Sequence, residues 1–161
     1  MEIQQLFHIQ KQLDETICNN HNLHNKDLIP AKILALEVEL GELANETRCF
    51  KFWSKKMASP KDVILEEYVD CLHFLLSIGL DEDFHEAKFY IKENPRDLIQ
   101  QFQDVFRKCS NFHQSLSEEA YVDLFEGFLS LGGKLGFTWQ EVEEAYLKKN
   151  QVNYQRQEEG Y

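Results

Sequence analysis

Between Val63 and Ile78 the chain puts apolar residues on nearly every side of a helix. Val63, Ile64, Leu65, Val69, Leu72, Phe74, Leu75, Leu76 and Ile78 spread around most of its circumference. A helix that is greasy on most sides is buried and has to be covered by the rest of the chain. Its polar residues, Glu66, Asp70, His73 and Ser77, form one stripe, with Glu67 at its edge. The cover comes as further helices, because helix signals recur along the chain and strand signals do not.

Ile3, Leu6, Leu13 and Ile17, with Phe7 and Ile9 beside them, fit an amphipathic helix that the polar run Asn19–Asn25 breaks. Pro30 suits the first turn of a second helix running to about Arg48. Ser59-Pro60 is a cap followed by a first-turn proline, and predicts a third helix ending near Gly79 in a left-handed cap. A shorter helix is expected over Asp81–Lys92. Asn94-Pro95 repeats the cap-plus-proline signal ahead of Leu98, Phe102, Val105 and Phe106. Ser117 opens a helix bearing Tyr121, Leu124, Phe125, Phe128 and Leu131, which the glycines 132, 133 and 136 close. Thr138 and Glu141 form a capping box, with Phe137 and Val142 placed for a hydrophobic staple. The expectation is an all-α bundle of about six to seven helices, one domain over residues 1–161.

Charge narrows what such a bundle can do. The 161 residues carry 28 acidic and 17 basic side chains, a net charge of −11 that repels phosphate polymers and argues against coating DNA or RNA. A phosphorylated small molecule remains compatible, provided a metal ion stands between the negative charges. The first residues lack the basic and apolar regions of a signal peptide. The stretch Cys71–Leu80 falls far short of the roughly 20 residues that span a bilayer, so no membrane role is expected. Cys18, Cys49, Cys71 and Cys109 are scattered without a C-x-x-C pair, as expected of reduced thiols in the cytoplasm.

The chemistry concentrates in the second and third helices. Glu39 and Glu42 are spaced i, i+3, as are Glu67 and Asp70, so each pair shares a face, and Glu46 falls on the same side as the first pair. Carboxylates placed this way repel one another and need a compensating cation. Mg²⁺ fits, because it takes oxygen ligands and keeps room for water and phosphate oxygens. In the last helix Lys149, Asn153 and Arg156 lie at i, i+4 and i+7, presenting two cations and an amide on one face. Such a face suits phosphate oxygens and a sugar or base edge. His21 and His24 read as a polar loop, and His73 as a hydrogen-bonded histidine rather than a metal ligand. No P-loop, nucleophile elbow or zincin motif occurs.

Residues 37–46 (Glu-Val-Glu-Leu-Gly-Glu-Leu-Ala-Asn-Glu), 50–54 (Phe-Lys-Phe-Trp-Ser) and 66–74 (Glu-Glu-Tyr-Val-Asp-Cys-Leu-His-Phe) form three blocks. Together they resemble the dimeric all-α dUTP diphosphatases, a branch of the MazG-like all-α nucleoside triphosphate pyrophosphohydrolases. The tail from Tyr146 to Tyr161 resembles the family's Y-x-x-K-N-x-x-N-x-x-R-Q-x-x-G-Y. Near the front, Gln10 matches an L-Q-x-x-L-N segment whose Gln and Asn contact uracil, while position 14 is Asp instead of Asn.

The resemblance implies Mg²⁺-dependent conversion of dUTP to dUMP and pyrophosphate, controlling the dUTP pool, by a homodimer. It implies Glu39, Glu42, Glu67 and Asp70 as metal ligands, with Glu39 also the base. Lys51, Lys149 and Arg156 would bind phosphate, and Gln10, Asp14, Trp53 and Asn153 the nucleoside. Because of Asp14, a related enzyme acting on dCTP or another deoxynucleotide stays open. So does a non-enzymatic acidic module that binds a basic protein patch. A regulatory protein partner is compatible with the sequence, but no residue pattern identifies one.

Overall fold

The computed structural model describes residues 2–91 and 94–160, and among these there are six helices and no strand. They are α1 (Ile3–His21), α2 (Ile29–Thr47), α3 (Lys61–Asp81), α4 (Leu98–Ser115), α5 (Glu118–Lys134) and α6 (Trp139–Glu158). Helix α3 is the axis: it touches α1, α2, α5 and α6, while α4 packs between α2 and α5. Ten of its residues, Tyr68 through Gly79 with few gaps, are buried. Its apolar circumference thus meets neighbours on nearly every side, as the sequence demands of it.

Several helix starts follow their signals. Ser117 Oγ accepts the Ala120 N–H, and Thr138 and Glu141 form the reciprocal capping box. Two starts differ. Helix α4 begins after Asp97, whose side chain and that of Gln100 close a capping box; Asn94 instead accepts the Arg96 N–H in the approach turn. The Asp97–Gln100 pair outcompetes Asn-Pro because the two side chains accept each other's backbone N–H, satisfying two donors at once. At α3 the extended residue before the helix is Pro60, with no side-chain cap. Ser59 donates its hydroxyl to Glu46 instead, tying the turn after α2 back to that helix.

The expected helix over Asp81–Lys92 does not form. Helix α3 continues through Asp81, residues 82–91 are turns and irregular chain, and Lys92 lies outside the described residues. Phe84, Ala87 and Phe89 in this segment pack onto the core, with the Phe89 ring stacked on Phe125 at 4.3 Å. Aromatic burial, which needs no helix, holds this stretch in place.

Nor does Gly79 cap α3. It lies inside the helix, where a β-carbon would collide with the Tyr121 hydroxyl, which donates to the Leu75 carbonyl at 2.9 Å. Gly132 of α5 makes the mirror arrangement with Tyr68 of α3, whose hydroxyl reaches the Phe128 carbonyl at 3.3 Å. The glycine that turns the chain after α5 is Gly136, at φ 78°.

Candidate active site

Helices α2 and α3 bring Glu39, Glu67 and Asp70 together, each half-buried and each offering an oxygen within 4.8 Å of the others. The i, i+3 spacing sets Glu67 and Asp70 on one side of α3, facing Glu39 across the α2–α3 contact. Burial, then the charges of Asp70, Glu42 and Glu67, push the Glu39 carboxyl up to about 7. Burial likewise raises Glu67 and Asp70. Three oxygens converging at this range, each protonating more readily than usual, are a donor set short of positive charge. A hard divalent cation fits it. Glu42 is exposed and stands outside the trio, although its charge reaches both Glu39 and Glu67. Glu46 also stands outside it, held by Ser59.

Lys149 of α6 supplies part of the missing charge. Its ammonium donates to Asp70 Oδ2 at 2.7 Å and to Glu66 Oε1 at 2.9 Å. Burial opposes the charge, but these two bonds prevail and raise the lysine pKa.

Beside the carboxylates opens a cleft of about 290 Å³. Helix α6 lines it with Lys149, Asn153 and Arg156, the three positions expected to share a face. Helix α1 contributes Gln10 and Asp14, α2 contributes Lys32 and Glu39, and α3 contributes Asp70, His73, Phe74 and Ser77. Seven of the residues singled out in the sequence therefore meet in one cavity.

Lys51 and Trp53 do not join them. Both lie on the turn after α2, where Lys51 donates to Asn45 Oδ1 and its ammonium sits 5.6 Å from the Phe50 ring centre. Trp53 packs edge-on against Phe50 and Phe52 and is 65% exposed.

A buried polar chain crosses the inner wall of the cleft. Gln10 Nε2 donates to Asp14 Oδ1 at 2.8 Å, and Ser77 Oγ donates to Asp14 Oδ2 at 2.6 Å. The other end of the Gln10 amide, Oε1, accepts from the Tyr146 hydroxyl at 2.8 Å and faces His73 Nδ1 at 2.7 Å. Burial raises the Asp14 carboxyl, against the opposing pull of Ser77, the Lys32 charge and Gln10. His73 stacks on Tyr146 at 4.3 Å, and burial followed by the nearby Lys149 charge lowers its pKa to about 3. The ring is therefore neutral.

Tyr146 was visible in the sequence only as the first residue of the tail motif; its bond to Gln10 needs a contact between residues 136 positions apart. Lys32, paired with Asp81, carried no sequence signal at all. His21 hydrogen-bonds Gln157 at 3.0 Å and His24 hydrogen-bonds Asn19 at 2.7 Å. Tyr161, the last residue of the tail motif, lies outside the described residues.

An all-α bundle with converging carboxylates beside a cleft lined by cations and amides defines a class: a protein built to hold a small anionic ligand next to a cation site. A family model described as dUTPase matches residues 2–161. The chain belongs to the dUTPase family, which makes it an enzyme, a dUTP diphosphatase among the hydrolases of nucleotide metabolism. No curated protein matches it. Among the described residues no helix is long and apolar enough to cross a membrane.

Proposed function

We propose that this chain hydrolyses dUTP to dUMP and pyrophosphate with Mg²⁺, and so controls the dUTP pool. One observation carries the reading: in a member of the dUTPase family, the carboxylates of α2 and α3 and the Lys149–Asn153–Arg156 face of α6 converge on one cleft. Glu39, Glu67 and Asp70 would hold the metal, with Glu42 close enough to add charge or a water-mediated contact. When bound, Mg²⁺ neutralises phosphate oxygens and makes a neighbouring water more acidic.

The protein's own groups do the rest. Glu39 accepts the proton of the attacking water on a carboxylate oxygen. Attack at the β-phosphorus releases dUMP. Lys149 and Arg156 bind the phosphates and stabilise the charge that builds on them. Gln10, Asp14 and Asn153 line the part of the cleft that would receive the nucleoside, with Phe74 and Leu13 as apolar walls.

We read the chain as one domain that works as a homodimer. Phe52 is 93% exposed and Met57 82%, and Leu34 and Val38 on the outer side of α2 are also exposed. So much apolar surface on one stretch of chain supports burial against a second copy. Lys51 and Trp53 lie on that same stretch, so their substrate contacts are proposed across the dimer. A reducing compartment such as the cytoplasm suits the four free thiols. Membership of an enzyme family replaces the reading as a non-enzymatic acidic module.

The test is pyrophosphate release from separate dUTP, dCTP, dTTP and UTP samples with Mg²⁺, beside a Glu39→Gln control. Turnover confined to dUTP and lost in the control is expected. Turnover directed at dCTP would keep the site and change the substrate, and silence on every nucleotide would overturn the reading.

A further inference from the structure

The polar stripe of α3 carries one acid that the reaction does not use. Glu66 lies one turn from Asp70, at i, i+4 on the same face, yet it stands outside the trio of Glu39, Glu67 and Asp70. It holds Lys149 instead, and shares it: Nζ is 2.9 Å from Glu66 Oε1 and 2.7 Å from Asp70 Oδ2. Asp70 lines the cleft, whereas Glu66 lines a neighbouring groove of about 380 Å³ between α3 and α6. Lys149 lines both. The ammonium therefore stands on the divide between two cavities, with one acid on each side of it.

We propose that Lys149 is a stand-in cation, holding Asp70 until a divalent ion takes that carboxylate, and that Glu66 then keeps the displaced ammonium at the edge of the cleft. Glu66 is thus a positioning residue that acts through Lys149. This rests on the metal-dependent reading of the site and adds to it how the ion enters.

The chemistry of the three groups favours an exchange. Lysine offers three donors and no acceptor, so its ammonium needs acids or phosphates around it. A divalent ion and an ammonium on one carboxylate repel each other at close range. The flexible four-carbon stem lets the ammonium pivot while α6 stays where it is. Glu66 gives that pivot a second seat, because its bond to Nζ is already made. Losing Asp70 then leaves the ammonium held rather than free. Two acids one turn apart also repel each other, so a lysine shared between them gives up one more readily than a lysine with a single partner. The Glu66 side chain is 61% exposed. When phosphate oxygens draw the ammonium into the cleft, water solvates the acid left behind at little cost.

The experiment titrates Mn²⁺, which takes the same oxygen ligands as Mg²⁺, into the full chain without nucleotide, counting free ion by electron paramagnetic resonance. Lys149→Met should bind Mn²⁺ about tenfold more tightly than the wild type, because one charge-assisted hydrogen bond no longer competes. Arg156→Met removes an equal charge from the same face of α6 and should gain far less. Equal gains in the two variants overturn the proposal, since the effect would then be one of overall charge. Weaker binding in Lys149→Met overturns it too, by making the lysine a support for Asp70, as does a lack of Mn²⁺ binding in both wild type and Lys149→Met.

Glu66→Gln tests the second seat. It should weaken Mn²⁺ binding in the wild-type background and much less in Lys149→Met, where there is no ammonium to receive. The same loss in both backgrounds removes the role given to Glu66. None of these titrations contains nucleotide, so failure of the wild type to hydrolyse dUTP would sink the substrate reading without touching this result.

Discussion

Toward α5, helix α3 meets its neighbour through tyrosine rings seated on glycines; toward α1 and α6 it meets them through a buried chain of hydrogen bonds. The first contact is made of shape. Gly79 and Gly132 leave room that Tyr121 and Tyr68 fill, and an added methyl group has nowhere to go. The second is made of polarity. Gln10, Asp14, His73, Ser77 and Tyr146 are joined by hydrogen bonds, and the cost there comes from removing a partner rather than adding volume. One helix thus divides its circumference between a side that holds the fold and a side that serves the ligand. The two sides should fail differently when altered.

The sharpest division is expected at Glu39. Glu39→Gln should lower kcat by about 10²- to 10⁴-fold, the range for losing a general base. The melting temperature should stay level or rise, because one of three mutually repelling carboxylates is gone. Pyrophosphate release and a thermal melt on the same sample check this, and a large drop in melting temperature would break the division. Gly79→Ala is the converse. Overpacking against Tyr121 should cost about 1–3 kcal/mol, read as a lower urea midpoint.

Acid should act on the polar side. His73 would take up a proton below its ordinary 6.5 in the unfolded chain, but in the folded protein only near 3. The folded state binds fewer protons in that window, so stability attributable to His73 falls as pH drops through it. The slope is at most about 1.4 kcal/mol per pH unit. Glu39, raised to about 7, works in the opposite sense, as acid relieves the burial of its charge and then its repulsion. Urea midpoints of wild type and His73→Gln at about pH 7 and about pH 5 separate the two, and the variant should lose less on acidification. The smallest effect belongs to neither side: Thr138→Ala removes the capping-box hydroxyl of α6 and should cost about 1 kcal/mol in the same assay.

The same division explains what could be read in the sequence. Periodicity and caps are local, so the buried α3, the Ser117 start and the Thr138–Glu141 box were all legible. So was the convergence of Lys149, Asn153 and Arg156, because one helix face carries all three. Where two local signals competed, the weaker one misled, as Asn94-Pro95 did beside Asp97-x-x-Gln100. Gly79 looked like a stop because a glycine near a helix end fits a cap as well as a close contact, and only Tyr121, far along the chain, decides which. The strand-free turn of residues 82–91 is held by aromatic burial from other helices, which no window along the sequence contains. The Gln10–His73–Tyr146 contact is of the same kind, joining α1, α3 and α6. The side chains of Lys51 and Trp53 matched a motif, yet a motif does not say which cleft its residues face.

The two tyrosine–glycine seats also act as a pair of dowels. On α3 they fall at positions 68 and 79, and on α5 at 121 and 132, the same interval of three helical turns on each rod. A bar pinned once can pivot; pinned twice at matched intervals it can neither swivel nor creep lengthwise. Helix α5 lends no side chain to the cleft, yet it sets the alignment of Glu67 and Asp70, as the fixed jaw of a vice sets the cut made by the tool opposite.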